Sequence, residues 1–410
     1  MKKTVDHLNA RGKRVLVRLD LNVPLDDTGA ITDDRRIRAA LPTIKKLLGD
    51  GGRLVLMSHL GRPDEEPEQK QKYTLAPVAK RLSELLGMKV ELLPDCKGPQ
   101  IAKRVAKMRD GEACLLENLR FHPEETIKDK KAASDPKLKE KKENFARQIA
   151  ELGDAYVNDA FGTCHRDNAS MLTVPLRMEG KPRVAGYLVQ RELKFLGEAL
   201  ANPKRPFVCV LGGAKVSDKL GVIRSLLDKC DTILVGGAMA YTFLAAEGQQ
   251  VGKSLVEPDL FDTARALRKQ AGSKLRLPVD SVTADKIAPN ARTMISSTAI
   301  PPDLMGLDIG PRTIRAYADE LARAKTIVWN GPMGVFETPP FDAGTLAISR
   351  AIADATDEGA VSIVGGGDSA AAIDRAGVAD RMTHISTGGG ASLEFLEGKP
   401  FLPLGVLDEA

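Results

Sequence analysis

Four arginines follow apolar runs in the first half of the sequence. They are Arg36, Arg62, Arg120 and Arg166, and each stands where a strand is expected to end or a helix to begin. One arginine in a loop is ordinary surface composition, so the informative feature is their recurrence after successive apolar runs. Guanidinium groups form paired hydrogen bonds with phosphates and carboxylates. If the four converge, they suit a small phosphate or carboxylate that carries several charges.

The second half places lysines and glycines at the corresponding points. In "FVCVLGGAKVSDKLGVIRSLL", a strand and a two-glycine turn lead to a helix that Ser217 or Asp218 is expected to cap. Lys215 and Lys219 flank the positive N-terminal end of that helix, which is unfavourable for lysine unless an anion lies beside them. This stretch therefore indicates either a purely structural turn or an anion site.

Two later glycine runs favour the anion site. Gly366 and Gly367 precede a helix that starts with Asp368 and Ser369, and Gly388–Gly390 follows the next strand. Glycine lets backbone N–H groups approach phosphate oxygens closely. A carboxylate beside them suits Mg²⁺, which bridges such oxygens. Together the runs predict a phosphate-binding site.

The stretch "EGQQVGKS" imitates a different phosphate site. It ends in the Gly-Lys-Ser of the loop G-x-x-x-x-G-K-[ST], but the first glycine of that motif falls on Glu247, and Gly248 comes one residue too late. The preceding residues are typical of a helix that ends at a glycine, whereas the motif needs a buried strand. We therefore interpret Lys253 and Ser254 as loop residues.

The elements that must position these residues alternate along the whole chain. Short apolar runs such as "RVLVRLDL", "RLVLMSHL", "FVCVLGG" and "TIVWNGP" alternate with amphipathic helical patterns. Continuous apolar strands separated by helices are typical of parallel sheets covered on both faces. Ligands of such sheets bind beyond the carboxyl ends of the strands, where the charged residues and glycines stand. The two halves thus predict two sites of different character.

Bulk composition narrows the class of protein. The chain has 410 residues, beyond the length at which one hydrophobic core stops growing, so two domains are expected. Its five cysteines are far apart and show no metal-like spacing, and neither a signal peptide nor a membrane-spanning run is recognisable. A cytoplasmic enzyme fits best. The lysine-rich segment 128–143 has no interleaved aromatic residues, which favours a solvated surface over a nucleic-acid patch.

The sequence resembles the phosphoglycerate kinase family over nearly its whole length. The motifs "RVLVRLDLNVPL", "SHLGRP", "LLENLRFHPEE", "NDAFGTCHR", "LGGAKVSDKL", "GLDIGP", "WNGPMGVFE", "GGGDS" and "STGGGASLEFLEG" occur in the family's order. The resemblance implies two doubly wound, Rossmann-like α/β domains that face a central cleft and are joined by a hinge helix. It implies a 3-phosphoglycerate-binding domain over 1–185, a nucleotide-binding domain over 186–390, and a tail of about 391–410 that packs back on the first.

The resemblance also implies a site residue by residue. The expected 3-phosphoglycerate ligands are Asp20, Asn22, Arg36, His59, Arg62, Arg120 and Arg166. The expected nucleotide ligands are Lys215, Lys219, Gly306, Glu337, Gly366, Gly367, Asp368 and Ser369, with Asp368 also holding Mg²⁺. The expected catalytic groups are Arg36, Lys215 and the backbone of Gly388, Gly389 and Gly390.

The implied activity is reversible phosphoryl transfer between 1,3-bisphosphoglycerate and ADP in glycolysis and gluconeogenesis, direct and in line after domain closure. The implied partners are these small molecules, not nucleic acid or a membrane, and the implied state is a monomer. Two other classes fit the sequence less well. A P-loop NTPase disagrees with the glycine spacing, and a non-catalytic sugar-phosphate sensor would not need Lys215, Asp368 and Glu337 together.

Overall fold

The apolar runs form two six-stranded parallel sheets, one in each half of the chain. The computed structural model describes residues 2–63, 66–297 and 299–410. The chain divides into two units, Met1–Leu193 with Pro400–Ala410, and Lys194–Lys399. The predicted fold class of doubly wound parallel-sheet domains is confirmed.

In the first unit the sheet order places β1 and β5 side by side at the centre. The strands are β1 (Arg14–Leu19), β2 (Arg53–Met57), β3 (Val90–Leu92), β4 (Ala113–Leu115), β5 (Ala155–Asp159) and β6 (Arg183–Ala185). Their order is β3-β4-β2-β1-β5-β6, and all pairs are parallel. The chain reverses its direction of winding between β1 and β5. The carboxyl ends of these two strands therefore mark the place where a ligand is expected.

The helices of the first unit fill the crossovers between these strands. They are α1 (Arg35–Gly49), α2 (Pro67–Lys72), α3 (Ala76–Leu86), α4 (Pro99–Ala106), α5 (Asp129–Ser134), α6 (Pro136–Ala150) and α7 (Val174–Leu176). The amphipathic pattern in α1 buries Ile37, Ile44 and Leu47 against the sheet. The helix α8 (Tyr187–Ala201) contains the boundary between the two units.

In the second unit the same plan is repeated with a second, smaller sheet. The parallel sheet contains β7 (Phe207–Leu211), β8 (Thr232–Val235), β9 (Leu275–Arg276), β13 (Thr326–Asn330), β14 (Val361–Gly365) and β15 (His384–Ile385), in the order β15-β14-β13-β7-β8-β9. The antiparallel sheet contains β10 (Ser281–Ala284), β11 (Thr293–Ser296) and β12 (Met305–Ile309). Winding reverses between β7 and β13. The sequence did not predict the antiparallel sheet, because its strands are short and β11 is largely exposed.

The helices of the second unit again follow the strands. They are α9 (Leu220–Leu227), α10 (Met239–Ala246), α11 (Phe261–Ala271), α12 (Pro311–Leu321), α13 (Ala343–Asp357), α14 (Gly367–Ala376) and α15 (Gly390–Leu396). The core around β7, β13 and β14 is centred on Trp329, which is fully buried and donates its indole N–H to the Gly331 carbonyl at 2.7 Å. This bond fixes the turn that leaves β13.

The C-terminal tail packs on the first unit from Pro400 onward. It contains α16 (Leu402–Gly405), and Asp408 joins both the N-terminal segment and β6. Its carbonyl accepts the Lys3 N–H at 2.8 Å, and its own N–H donates to the Arg183 carbonyl at 2.8 Å. Residues 391–399 belong to the second unit instead.

The lysine-rich segment 128–143 forms α5 and the first half of α6 and is mostly exposed, as predicted. Lys142 is the exception among its lysines, because its side chain is only 3% exposed. Its ammonium group donates to the carbonyls of Ile127 and Asp167 at 2.8 and 2.6 Å and to the Asp129 carboxylate at 2.6 Å. Three acceptors satisfy its three N–H bonds. Lys142 therefore fastens the loop that precedes α5.

Candidate active site

Asp20 and Arg36 form an ion pair at the carboxyl end of β1. Asp20 follows the strand and is 7% exposed, whereas Arg36 lies in the first turn of α1 and donates to the Asp20 carboxylate. The turn after β5 covers the pair closely. A Cβ at Gly162 would lie 2.3 Å from Asp20 Oδ2 and 3.6 Å from Arg36 Nη1. A larger residue at this position would displace the Asp20 carboxylate. Because Asp20 is held in place and accepts from Arg36, it fixes the direction of the Arg36 guanidinium at the winding reversal.

Asn22 and Arg120 hold the turn after β2 from two sides. Asn22 Oδ1 accepts the Gly61 N–H at 2.7 Å, and Arg120 Nη1 donates to the Gly61 carbonyl at 2.6 Å. Asn118 in turn accepts the Arg120 N–H at 3.1 Å. Three of the loops that the sequence pattern selects are thereby joined at one backbone position.

His59 is buried against Arg18, a residue that the sequence pattern did not select. Arg18 Nη2 lies 3.2 Å from His59 Nδ1. Because arginine only donates, Nδ1 must be the acceptor, and the ring proton lies on Nε2. Burial, and then the charges of Arg18, Arg120 and Arg36, lower the pKa of His59 well below its usual value. His59 is therefore a neutral hydrogen-bond donor rather than a cation.

We expect the His59 ring to stay neutral, protonated on Nε2, between pH 8 and pH 5.5 in nitrogen NMR spectra of the folded protein. The unfolded chain binds a proton on this ring below a pH of about 6.5, whereas the folded chain does not. The contribution of His59 to the free energy of unfolding should therefore fall as the pH drops below about 6.5. A titration midpoint near 6.5 in the folded protein, or a proton on Nδ1, would contradict this assignment.

Arg62, Arg120 and Arg166 line a cavity of about 700 Å³. Burial, and then the charges of Arg18 and Arg166, lower the pKa of Arg120 to about 10. Among the described residues, Arg120 Nε is buried without a hydrogen-bond partner. Crowding like charges around a buried donor that has no partner costs free energy, unless an anion binds between them. Three of the four predicted arginines therefore line one cavity, in an arrangement that suits a multiply charged anion, and Arg36 is not part of that lining.

Arg18, which contacts His59, also belongs to a buried pair of opposite charges. Arg18 and Glu125 are both fully buried, with Arg18 Nη2 4.0 Å from Glu125 Oε1. Ser170 lies between them, accepting from Arg18 Nε at 2.8 Å and donating its hydroxyl to Glu125 Oε1 at 2.6 Å. The sequence feature that could have indicated a role for Arg18 is its charge inside the apolar run "RVLVRLDL". Such a pair is tolerated when further hydrogen bonds satisfy both groups, as they do at this site.

In the second unit, Lys219 is buried at the start of α9. Its ammonium group donates to Asn330 Oδ1 at the end of β13, and Asn330 Nδ2 donates to the Gly365 carbonyl at 2.9 Å. Burial lowers the pKa of Lys219, while the negative charges of Asp218 and Asp368 act in the opposite direction. Lys219 thus links the carboxyl ends of β7, β13 and β14.

The predicted cap of α9 was wrong. Ser217 donates its hydroxyl to Glu257 at 2.6 Å, and its N–H donates to the same carboxylate at 3.1 Å. Lys219 occupies the cap position instead, without a capping side-chain bond. Lys215 lies before it, exposed on the turn that follows β7. The turn thus presents one exposed and one buried lysine beside the helix start.

The later glycine runs also lie at strand ends. Asp368 is exposed in the first turn of α14, whereas Ser369 is buried and its hydroxyl accepts the Gly331 N–H at 2.7 Å. Gly366 precedes that helix, and a Cβ at Gly367 would meet open space. The Ser369 hydroxyl therefore orders the turn after β13, and the exposed groups of this run are Gly367 and Asp368.

The third run leads into α15. A Cβ at Gly389 or Gly390 would likewise meet open space. The Gly388 N–H donates to Ser386 Oγ at 3.1 Å, so it is already bound within the protein. This bond narrows the expected backbone donors of the run to Gly389 and Gly390.

Gly306 and Glu337 lie on neighbouring segments. Gly306 is in β12, and Glu337 is exposed in the turn after β13. The Val335 N–H donates to the Leu307 carbonyl at 2.8 Å, which ties that turn to β12. The expected nucleotide residues are thus distributed over the carboxyl ends of the parallel sheet and the adjoining edge of the antiparallel sheet.

Asp95, Cys96 and His122 form a mixed cluster with their donor atoms within 4.8 Å of one another. His122 Nε2 and Asp95 Oδ1 are already joined by a hydrogen bond of 2.6 Å. Burial raises the pKa of the Cys96 thiol well above its usual value, so the thiol stays protonated. Hydrogen bonding and burial account for all three groups without an ion.

Comparison with known proteins decides the family. The family model described as phosphoglycerate kinase matches residues 5–399. The chain belongs to the phosphoglycerate kinase family. The phosphoglycerate kinase of Rhodopirellula baltica is 53% identical over the full length of both chains, and that of Chloroherpeton thalassium is 52% identical over the full length of both. The solved phosphoglycerate kinase of Coxiella burnetii is 41% identical, with a TM-score of 0.84, and covers 99% of this chain and 98% of its own.

Membership of the phosphoglycerate kinase family confirms the predicted enzyme class, a phosphotransferase with a carboxyl group as acceptor. The structure of the stretch "EGQQVGKS" disagrees with the buried strand that a P-loop requires. Lys253 is exposed and Ser254 is buried, and the segment follows a helix, α10, rather than a strand. Within the described ranges, every helix is too short or too polar to cross a bilayer.

Proposed function

We propose that the chain transfers a phosphoryl group directly between 1,3-bisphosphoglycerate and ADP, giving 3-phosphoglycerate and ATP. The observation that supports this best is the contrast between the two units. One gathers guanidinium groups around Arg36 and the arginine-lined cavity, and the other gathers lysines and glycine N–H groups at helix starts. The first arrangement suits a small phosphorylated acid, and the second suits nucleotide phosphates.

The first unit binds 3-phosphoglycerate in this proposal. The cavity arginines Arg62, Arg120 and Arg166 hold its phosphate, while Arg36 lies toward the carboxylate that accepts the phosphoryl group. Asp20 holds Arg36, and Asn22 holds the Gly61 turn. His59 donates from Nε2. No general base is needed, since a carboxylate is already ionised at neutral pH.

The second unit binds the nucleotide. Lys215 and Lys219 contact the phosphates, the N–H groups at Gly366, Gly367, Gly389 and Gly390 add donors, and Gly306 and Glu337 contact the nucleoside. Glu337 is exposed and suits ribose hydroxyls. Two positive groups, Arg36 and Lys215, offset charge on the phosphoryl group as it moves, which is the main catalytic requirement of such a transfer.

The site also suits Mg²⁺ bound with the nucleotide. Asp368 is exposed at the start of α14, and its negative charge acts on Lys219, which supports a position near the proposed phosphate ligands. Magnesium typically takes one or two protein carboxylates together with substrate phosphates and water. Bound there, the ion would neutralise nucleotide phosphate charge. Asp368 is therefore the residue that would hold it.

Direct transfer needs the attacking carboxylate oxygen within about 3 Å of the phosphorus that moves, so both ligands must be bound close together. We further propose that the chain acts as a monomer in the cytoplasm and that its partners are the small molecules named above.

A coupled assay tests the proposed function. We expect ATP formation from ADP, Mg²⁺ and 1,3-bisphosphoglycerate, and the reverse reaction from ATP and 3-phosphoglycerate. ATP hydrolysis that does not depend on 3-phosphoglycerate would indicate an NTPase instead. Binding of 3-phosphoglycerate without any transfer would indicate a sensor.

A further inference from the structure

The Gly-Lys-Ser stretch contacts the strand that carries Gly306. Ser254 is 7% exposed, and its hydroxyl oxygen accepts the Gly306 N–H at 2.8 Å. The Lys253 N–H donates to the Leu304 carbonyl at 2.7 Å, just before Gly306 in the chain. The side chain of Lys253 is exposed. The serine, not the lysine, is therefore the residue of this stretch whose side chain reaches β12.

The approach to β12 is too close for a side chain at two glycines. A Cβ at Gly252 would lie 2.3 Å from the carbonyl oxygens of Pro301 and Leu304. A Cβ at Gly306 would lie 2.1 Å from Cζ and Oη of Tyr241. The Gly306 backbone is thus held between the Tyr241 ring on one side and the Ser254 hydroxyl that binds its N–H.

The helix that contains Tyr241 starts beside the turn that carries Lys215 and Lys219. Tyr241 belongs to α10, which starts two residues after Gly237. A Cβ at Gly237 would lie 2.5 Å from the Gly213 nitrogen, and one at Gly213 would lie 4.0 Å from Cε of Lys219. A small shift of Gly306 would therefore press on the helix that packs beside the phosphate-binding turn.

We propose that Ser254 is a positioning residue for the nucleotide, acting through Gly306. This inference rests on the proposed function, in which Gly306 contacts the nucleoside. The Ser254 hydroxyl accepts a buried N–H and so fixes the distance between the Gly306 backbone and the Tyr241 ring. Without it, the N–H must move to find another acceptor, because a buried donor without a partner is costly. That movement changes the position of the Gly306 backbone that the nucleotide would contact.

The test is Ser254→Ala, compared with Ser362→Ala. Ser362 is a matched control because it is buried in the same unit and its hydroxyl accepts the Thr383 N–H at 3.0 Å, near the opposite end of β14 from Gly365. Both variants lose one hydroxyl that accepts a backbone N–H. We expect Ser254→Ala to raise the Kd for ADP, measured by calorimetry, and the KM for ADP about tenfold. The KM for the phosphoglycerate substrate should stay within about twofold.

Thermal unfolding separates positioning from general damage. Both variants should lose stability, and Ser362→Ala at least as much as Ser254→Ala because the Ser362 hydroxyl also accepts the Thr356 hydroxyl at 2.9 Å, but Ser362→Ala should keep wild-type affinity for ADP. The inference is overturned if folded Ser254→Ala binds ADP as tightly as the wild type, if Ser362→Ala weakens ADP binding equally, or if both substrates of Ser254→Ala are affected alike. Calorimetry keeps this test independent of catalysis, so an inactive wild type would refute the proposed function without deciding the role of Ser254.

Discussion

Arg36→Ala should lower kcat by about 100-fold or more, which is the range seen when one preorganised donor to a transition state is removed. Asp20 and the tight approach of Gly162 fix the direction of the Arg36 guanidinium before substrate binds. Its interaction should therefore strengthen as charge develops on the moving phosphoryl group. The KM for nucleotide should change little, because the nucleotide residues belong to the other unit. Steady-state kinetics with each substrate varied in turn measures both effects.

The neighbouring Arg35 supplies the control for this variant. It lies in the same helical turn and is half exposed, pairing with Asp33 at 2.5 Å rather than with Asp20. Arg35→Ala should leave kcat within about twofold. If Arg36→Ala instead keeps its kcat and only raises the KM for 3-phosphoglycerate, Arg36 is a binding residue, and its catalytic assignment is wrong.

Lys215→Ala should also lower kcat by about 100-fold, with little loss of thermal stability. The lysine is exposed on the turn after β7, so its removal leaves no buried group unpaired. Lys219 would be a poorer probe, because it is buried and bound to Asn330 and its loss would disturb the fold. The measurement is kcat for ATP formation, together with the midpoint of thermal unfolding.

Lys253→Ala is the matched control, since Lys253 is an exposed lysine in the same unit. It belongs to the stretch that imitates a P-loop, and its removal should leave the KM for nucleotide within about twofold. Loss of nucleotide binding in folded Lys253→Ala would mean that this stretch is a phosphate site after all. Unchanged kcat in Lys215→Ala would remove Lys215 from the catalytic groups.

The sequence predicted those features that depend on local pattern. The apolar runs predicted the parallel sheets, because strands buried on both faces need continuous apolar side chains. Arg36, Lys215 and Asp368 could be selected because each stands after a strand end or at a helix start, and the winding reversals beside β1 and β7 bring strand ends together. The family motifs then supplied roles that residue type alone could not.

The features that escaped prediction depend on partners distant in sequence. The Arg18 and Glu125 pair joins residues more than one hundred positions apart, and no local pattern around Glu125 indicates its burial. The protonated nitrogen of His59 is set by Arg18, and the cap of α9 was lost because Glu257 binds Ser217 instead. Ser254 lies in a loop, as interpreted, but its hydrogen bond to Gly306 escaped prediction, because Gly306 lies in a strand that the pattern did not reveal.

The proposed enzyme transfers the phosphoryl group directly from donor to acceptor, with no phosphorylated residue between them. The most direct measurement uses ATP made chiral at its γ-phosphorus with three oxygen isotopes as the phosphoryl donor to 3-phosphoglycerate. A single in-line displacement inverts the configuration at phosphorus, and we predict inversion in the 1,3-bisphosphoglycerate that forms. Retention of configuration would require two successive displacements through a phosphorylated protein side chain, and it would contradict direct transfer.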